Sequence, residues 1–242
     1  VSAGAAREAP DVETASEDYA RRFSGPVGAF FLEVQARTAR ELLAPWPGAR
    51  VLDVGGGHAQ LVGPLVDAGW QVTASGSDDS CARLLDPWLR DGRARFERAD
   101  LLRSPWPDRA FDVVTCFRLL PHLRRWPELV AELARLARHA VVVDYPTRRS
   151  VNALSGRFFG LKKGVEGNTR PFTVFRDVEI EAAFRAHGLA ASARRPQFLF
   201  PMALHRLHGS ARLARLLEGA ARALGLTRAL GSPVILRLDR RA

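Results

Sequence analysis

The chain has 242 residues, 47% of them hydrophobic, and a formal net charge of +10. That length and apolar content suit one medium α/β domain with a sizeable core, and no apolar run approaches the ~20 residues needed to span a bilayer. The only two cysteines, Cys81 and Cys116, form no CxxC pair, which argues against a disulfide framework or a structural metal site and points to a reducing cytoplasm.

In chain order, the first residues up to Tyr19 read as a loose polar leader without a basic start and apolar core, so no secretory signal is expected. Helices are predicted over Glu17–Phe23 and Ala29–Leu43, broken by Ser24-Gly25-Pro26 and ended by Pro45 and Pro47. Arg50–Val54 is a short apolar strand, followed by a helix over Ala59–Ala68 that Gly69 ends. Trp70–Ala74 is a second strand, and Asp79–Trp88 a helix capped by Asp79 or Asp78. Ala94–Arg98 and Phe111–Phe117 are the third and fourth strands. Pro127–Arg138 is a helix with Leu129, Leu133 and Leu136 on one face, and Ala140–Tyr145 is the fifth strand. Pro146–Phe172 is a long basic, glycine-bearing loop, a candidate active-site element. Arg176–His187 is a helix, and Leu189–Leu199 and Pro233–Leu238 are two further strands. Between them Phe200–Ser232 reads as helical, because Leu213, Leu216, Leu217, Ala220 and Leu224 recur at helical spacing. Alternating strands and helices predict a mostly parallel sheet.

The most informative run is Arg50-Val51-Leu52-Asp53-Val54-Gly55-Gly56-Gly57-His58. A strand enters glycines that allow a sharp turn and close ligand approach, then a helix start with free N–H donors. Such a turn is shared by many nucleotide folds. Asp53, two residues before the first glycine, suits a ligand with an ammonium group and no phosphate.

With these residues in view, the sequence resembles the class I S-adenosylmethionine-dependent methyltransferases, in particular the ubiquinone- and menaquinone-biosynthesis type. VLDVGGG is similar to their first motif. Phe96-Glu97-Arg98-Ala99-Asp100-Leu101 resembles the segment whose acid contacts the adenine amino group. Phe111-Asp112-Val113-Val114-Thr115-Cys116-Phe117 resembles the fourth strand, and Leu120-Pro121-His122-Leu123 an apolar-His-His-Leu run. The resemblance covers roughly Tyr19 to Tyr145. It implies a Rossmann-like fold with a seven-stranded, mostly parallel sheet flanked by helices, here with a helical insertion between the last two strands. It also implies S-adenosylmethionine as donor, S-adenosylhomocysteine as product, and no metal.

On that basis Tyr19, Arg22, Asp53, Gly55, Gly56, Gly57, His58, Ser77, Asp78, Asp100, Leu101 and Phe117 are the expected donor-binding residues. Tyr19 and Arg22 fall on a helix similar to one that closes over the donor, and Arg22 has an ordinary amphipathic-helix reading beside this one. The second strand departs from the family pattern. Relatives end it with an acid for the ribose hydroxyls, whereas here the position falls near Gly76, with Ser77 or Asp78 as substitutes if the turn is shifted.

Methyl transfer needs mainly alignment of nucleophile, methyl carbon and leaving sulfur, and a hydroxyl acceptor also benefits from a base. His122 is the candidate base, with a packing role beside the pocket as its alternative. His205 and His208 are three apart, a spacing used for metals, but lack a third ligand and read as surface or pocket lining. Cys116 has no Pro-Cys context and is not a nucleophile.

Residues 1–145 carry 18 Lys+Arg against 20 Asp+Glu, and residues 146–242 carry 18 against 6. The basic excess in the last third favours an anionic partner. Arg157-Phe158-Phe159-Gly160-Leu161-Lys162-Lys163 mixes aromatics with cations, and Arg206, Arg212, Arg215, Arg222 and Arg228 follow with only Glu218 among them. Either a contact with anionic lipid or a pocket for an apolar molecule with an acidic head fits.

The expected organisation is a single domain: N-terminal helices over 1–45, a donor-binding core over 46–145, a basic acceptor-side loop and cap over 146–232, and a last strand over 233–242. The expected activity is methyl transfer to a small, apolar or anionic, lipid-like acceptor, with oxygen favoured. RNA methylation is the alternative, and a non-catalytic donor- or product-binding protein is a third reading. The expected location is cytoplasmic, with peripheral contact at the inner membrane face as an option.

Overall fold

The computed structural model describes residues 8–151 and 172–241. Five strands build most of the sheet: β1 (Arg50–Val54), β2 (Gln71–Gly76), β3 (Ala94–Arg98), β4 (Phe111–Cys116) and β5 (Ala137–Tyr145). Two more, β6 (Leu189–Phe198) and β7 (Ser232–Arg240), complete it in the order β3-β2-β1-β4-β5-β7-β6. The first five strands pair in parallel, while β7 runs antiparallel between β5 and β6.

The central strands are buried on both faces, which is why they read as continuous apolar runs. Successive residues go to opposite sides. Val114, Val141 and Val143 join one core with Leu129, Leu133, Ile180 and Phe184. Val113, Ala140 and Val142 join the other with Leu42, Leu43, Leu61 and Leu65. The helices that supply these residues are α3 (Gly25–Leu43), α4 (Val62–Asp67), α6 (Trp126–Leu136) and α7 (Asp177–Arg185). Between α4 and α6 lies the short α5 (Asp86–Arg90).

Several expectations need correction. The chain before Tyr19 is not a loose leader over its described part. It forms α1 (Asp11–Thr14) and α2 (Glu17–Arg21), with Asp11, Thr14 and Tyr19 buried. Pro26 opens α3 rather than breaking a helix, as its missing N–H costs nothing in a first turn. After β1 the chain makes a 3₁₀ turn at Gly56–His58 and enters α4 only at Val62, because Ala59 takes φ 60°. The predicted helix over Asp79–Trp88 is a 3₁₀ stretch, Asp79–Leu85, capped by Asp78, followed by α5.

The insertion between β6 and β7 is helical, as expected: α8 (Met202–His208), α9 (Ala211–Ala223) and α10 (Leu226–Leu230). α9 packs with Ala214, Glu218 and Ala221, whereas Leu216 is 71% and Leu224 74% exposed. Small residues let α9 approach α3 closely, where Ala214 meets Phe30, Phe31 and Phe198, and the leucine stripe is left facing solvent. No helix among the described residues is long and apolar enough to cross a membrane.

Candidate functional site

In this strand order the chain reverses direction of build between β1 and β4, and open α/β sheets bind ligands in the crevice beyond the strand ends at such a point. The glycine turn after β1 lies there. Gly55 takes φ +71°, and a Cβ on it would press to 2.9 Å of Leu119 Cδ2. A Cβ on Gly56 would collide with Asp53 Oδ2. The glycines thus make room for the neighbouring side chains.

Asp53 is fully buried at the end of β1. Its Oδ1 accepts the Thr115 hydroxyl at 2.7 Å, and Oδ2 has no hydrogen-bond partner. Burial pushes this carboxyl up to about 7; the Thr115 bond works against the rise and the charge of Asp144 adds to it. His58, also buried, accepts the Gln60 N–H on Nδ1 at 3.1 Å. Burial and then the Arg118 charge lower its pKa to about 4, opposed by a hydrogen bond to the Phe117 backbone, so the ring is neutral near pH 7.

At the end of β2, the two expected substitutes for the acid have partners within the chain. Asp78 is exposed, and its Oδ1 accepts the Ser80 N–H to cap the following 3₁₀ stretch. Ser77 is buried and donates both its N–H and its hydroxyl to Asp11 of α1, each at 2.6 Å. A Cβ at Gly76 would lie 2.6 Å from Cys81 Cβ, so the strand end has no room for an acid there.

Beyond β3, Asp100 Oδ1 accepts the Leu102 N–H at 2.8 Å, and Leu101 is buried. Phe117, just past β4, is buried in the opposite core layer from Leu101. Tyr19 is buried with the Arg22 guanidinium 5.2 Å from its ring centre, while Arg22 itself is exposed and 3.9 Å from Glu13. His122 closes the 3₁₀ turn Leu120–His122 after β4, half-buried, its ring 5.6 Å from that of Phe172. Thr173 donates its N–H to Pro121 O, so the returning end of the basic loop seats on this turn. Arg157–Lys163 lies outside the described residues.

Sequence reading missed a pair of a half-buried arginine and a buried aspartate at the ends of β4 and β5. Arg118, at φ 59°, donates its N–H to Asp144 Oδ1 at 2.6 Å and places Nε 3.6 Å from Oδ2. Its guanidinium also bonds Gln35 of α3 and lies 5.1 Å from the Phe23 ring centre. Burial raises the Asp144 carboxyl, and Arg118 offsets that. Residues 26 positions apart carry no local pattern that announces the pair.

Of the two histidines expected at the surface or lining a pocket, His205 lies in the interior and His208 is half-buried. His205 is fully buried, its Nε2 2.9 Å from Glu218 Oε1 and its Nδ1 3.3 Å from His208 Nε2. Glu218 also accepts the N–H groups of Leu199 and Phe200. The cluster ties α8 and α9 to the end of β6. Cys116 is buried, and burial first, then Asp144 and Asp53, hold its thiol well above its ordinary pKa, which leaves it protonated and unreactive.

A family model described as a methyltransferase domain matches residues 28–220. A demethylmenaquinone methyltransferase from Deinococcus radiodurans is 34% identical over 131 residues, 51% of this chain and 53% of that protein. The match thus spans about half the length of that relative. Magnesium protoporphyrin IX methyltransferase from Synechocystis PCC 6803, solved with S-adenosylhomocysteine bound, superposes at a TM-score of 0.65 and 17% identity, covering 93% of this chain and 94% of that one. The 1,6-didemethyltoxoflavin-N1-methyltransferase of Burkholderia thailandensis superposes at 0.57 and 14%, covering 88% and 79%. With its strand order, its glycine turn and this family match together, the chain belongs to the methyltransferase-domain family and has the class I, S-adenosylmethionine-dependent methyltransferase fold.

Proposed function

We propose that this chain transfers the methyl group of S-adenosylmethionine to a small-molecule acceptor, apolar or anionic and lipid-like, at an oxygen atom. The buried Asp53 carboxylate carries the reading. Its Oδ2 lacks a partner and adjoins the glycine turn, so a donor ammonium fits it and a pyrophosphate would be repelled. When bound, the donor supplies a methyl carbon already activated by its sulfonium. The chain then has to hold the two reactants in line, exclude water and take up the acceptor's proton. We assign the proton to an imidazole nitrogen of His122, on the turn after β4. A small acceptor is preferred to RNA because the relatives above are named for quinone, porphyrin and toxoflavin chemistry, and because no Asn-Pro-Pro-Tyr-like run is present. Incubating the protein with tritiated S-adenosylmethionine and a cell extract tests this. Label should enter the organic-extractable, base-labile or ether fraction; label in RNA would replace the reading with the alternative.

We further infer a peripheral contact with anionic membrane from the cytoplasmic side, through α8–α10. On α8 Leu207 is 85% exposed, and on α9 Leu216 and, at its C-terminal end, Leu224 are exposed as well. Large apolar side chains left exposed on neighbouring helices suit an interaction surface. Arg37, Arg194, Arg195, Arg222 and Arg228, with Glu41 as the one acid, line a cleft of about 430 Å³. Exposed leucines and an arginine-rich surface on the same helical insertion suit acyl chains and anionic headgroups. Pairing two copies through these helices would instead bring together Arg206, Arg212, Arg215, Arg222 and Arg228, with only Glu218 among them. Phosphatidylglycerol vesicles should co-sediment the protein at low salt, phosphatidylcholine vesicles should not, and Leu207→Gln/Leu216→Gln/Leu224→Gln should abolish binding. A dimer in solution that ignores vesicles would refute this contact.

A further inference from the structure

We infer that Asp11, on α1, supplies the ribose-binding carboxylate that the end of β2 lacks, and that residues 8–15 form a strap which carries it across the donor site. The inference rests on the donor proposed above.

The strap is anchored at three points, on the segments that follow β4, β1 and β2. Glu8 accepts the N–H groups of Arg124 and Arg125, beyond β4, at 2.8 and 3.2 Å. Ala15 packs on the turn after β1, where a Cβ on Gly57 would come within 2.9 Å of Ala15 Cβ. Asp11 docks on Ser77, directly after β2, through both carboxylate oxygens. The strap therefore spans the crevice at which this sheet order places a ligand.

Asp11 is fully buried, and no ion pair to it occurs among the described residues. Burying a carboxylate beside neutral donors is costly unless its lone pairs are used. Oδ2 accepts the Ser77 N–H and faces the Cys81 thiol at 3.5 Å, whereas Oδ1 accepts only the Ser77 hydroxyl. A carboxylate offers about four acceptor positions. One on Oδ1 remains for a ribose hydroxyl, and a second hydroxyl outcompetes the weak thiol donor on Oδ2. Ser77 is thus the holder and Asp11 the acceptor. Cys81 closes the alternative, because it fills the space that an acid at position 76 would need.

The test compares S-adenosylhomocysteine with its 2′,3′-dideoxy analogue by calorimetry. Wild-type protein should prefer the hydroxylated ligand by about tenfold to a hundredfold, the scale of hydrogen bonds to a charged group. Asp11→Asn should cut that preference to about threefold or less, and Ser77→Ala, which only loosens the carboxylate, should reduce it by less. Gly76→Asp should not restore it in the Asp11→Asn background. Hydrogen exchange on the wild type is independent of variant folding: the amides of residues 11–15 should gain protection with S-adenosylhomocysteine and less with the analogue. Undiminished preference in Asp11→Asn, tighter binding by that variant, or loss of strap protection on ligand addition would overturn the inference while leaving the donor in place. Absence of binding to the wild type would overturn the donor and the strap together.

Discussion

Donor affinity should be governed by the ionisation of Asp53. The folded protein holds this carboxyl at about 7, with burial as the main cause. An ammonium ligand needs the charged form, so binding and deprotonation are coupled. At pH 6 about a tenth of the free protein is ionised, and apparent affinity for S-adenosylhomocysteine should be roughly tenfold below its plateau, or ~1.4 kcal/mol. At pH 5 the loss should be about a hundredfold. Close to pH 7 calorimetry in buffers of different ionisation heat should detect release of about half a proton per ligand. Stability without ligand has the opposite sign. The folded pKa exceeds the unfolded one, so the neutral carboxyl favours the fold, and stability falls as pH rises from about 4 to about 7. Asp53→Asn should remove both dependences, raising the melting temperature at pH 8 while weakening ligand binding there. Affinity that is flat from pH 5 to 7 in the wild type, or a slope that survives in Asp53→Asn, would refute the reasoning.

Gly56→Ala should lower donor affinity by about tenfold or more, because the added methyl meets Asp53 Oδ2; equilibrium dialysis with S-adenosylhomocysteine checks it. His122→Ala should reduce turnover by about 10²-fold with donor affinity unchanged, and a loss of tenfold or less would return His122 to packing against Phe172. His205→Ala leaves Glu218 buried without its ring partner, which should cost ~3 kcal/mol and lower the melting temperature by roughly 6–12 °C.

The parallel core was legible because a strand buried on both sides must be apolar at successive positions, as Val113-Val114 and Val141-Val142-Val143 are. The glycine turn was legible because Gly55 needs a left-handed backbone. The strap was not, since a segment held by polar contacts such as Glu8 to Arg124 and Asp11 to Ser77 has the composition of a solvated leader. Periodicity found α9 but could not orient it: spacing shows that Leu213, Leu216 and Leu217 share a side, not which way that side turns. Side-chain volume decided the matter, with Ala214 and Ala221 allowing the close approach to α3 that leucine would prevent. The Arg118–Asp144 pair and the filled space at Gly76 belong to three-dimensional neighbourhoods that no window of sequence contains.

The place of β7 has a consequence for biosynthesis. Its partner β5 pairs with it from Ala140–Asp239 to Tyr145–Val234, yet the two are translated almost a hundred residues apart. While the ribosome makes the intervening chain, β5 is an apolar strand with one unpaired edge, a template for association with other nascent chains. The acceptor-side loop and the helical insertion both fall within that interval, so lengthening either one prolongs the exposure. Yield of soluble protein should therefore respond to translation speed between codons 146 and 232 more than to the same change upstream of β5.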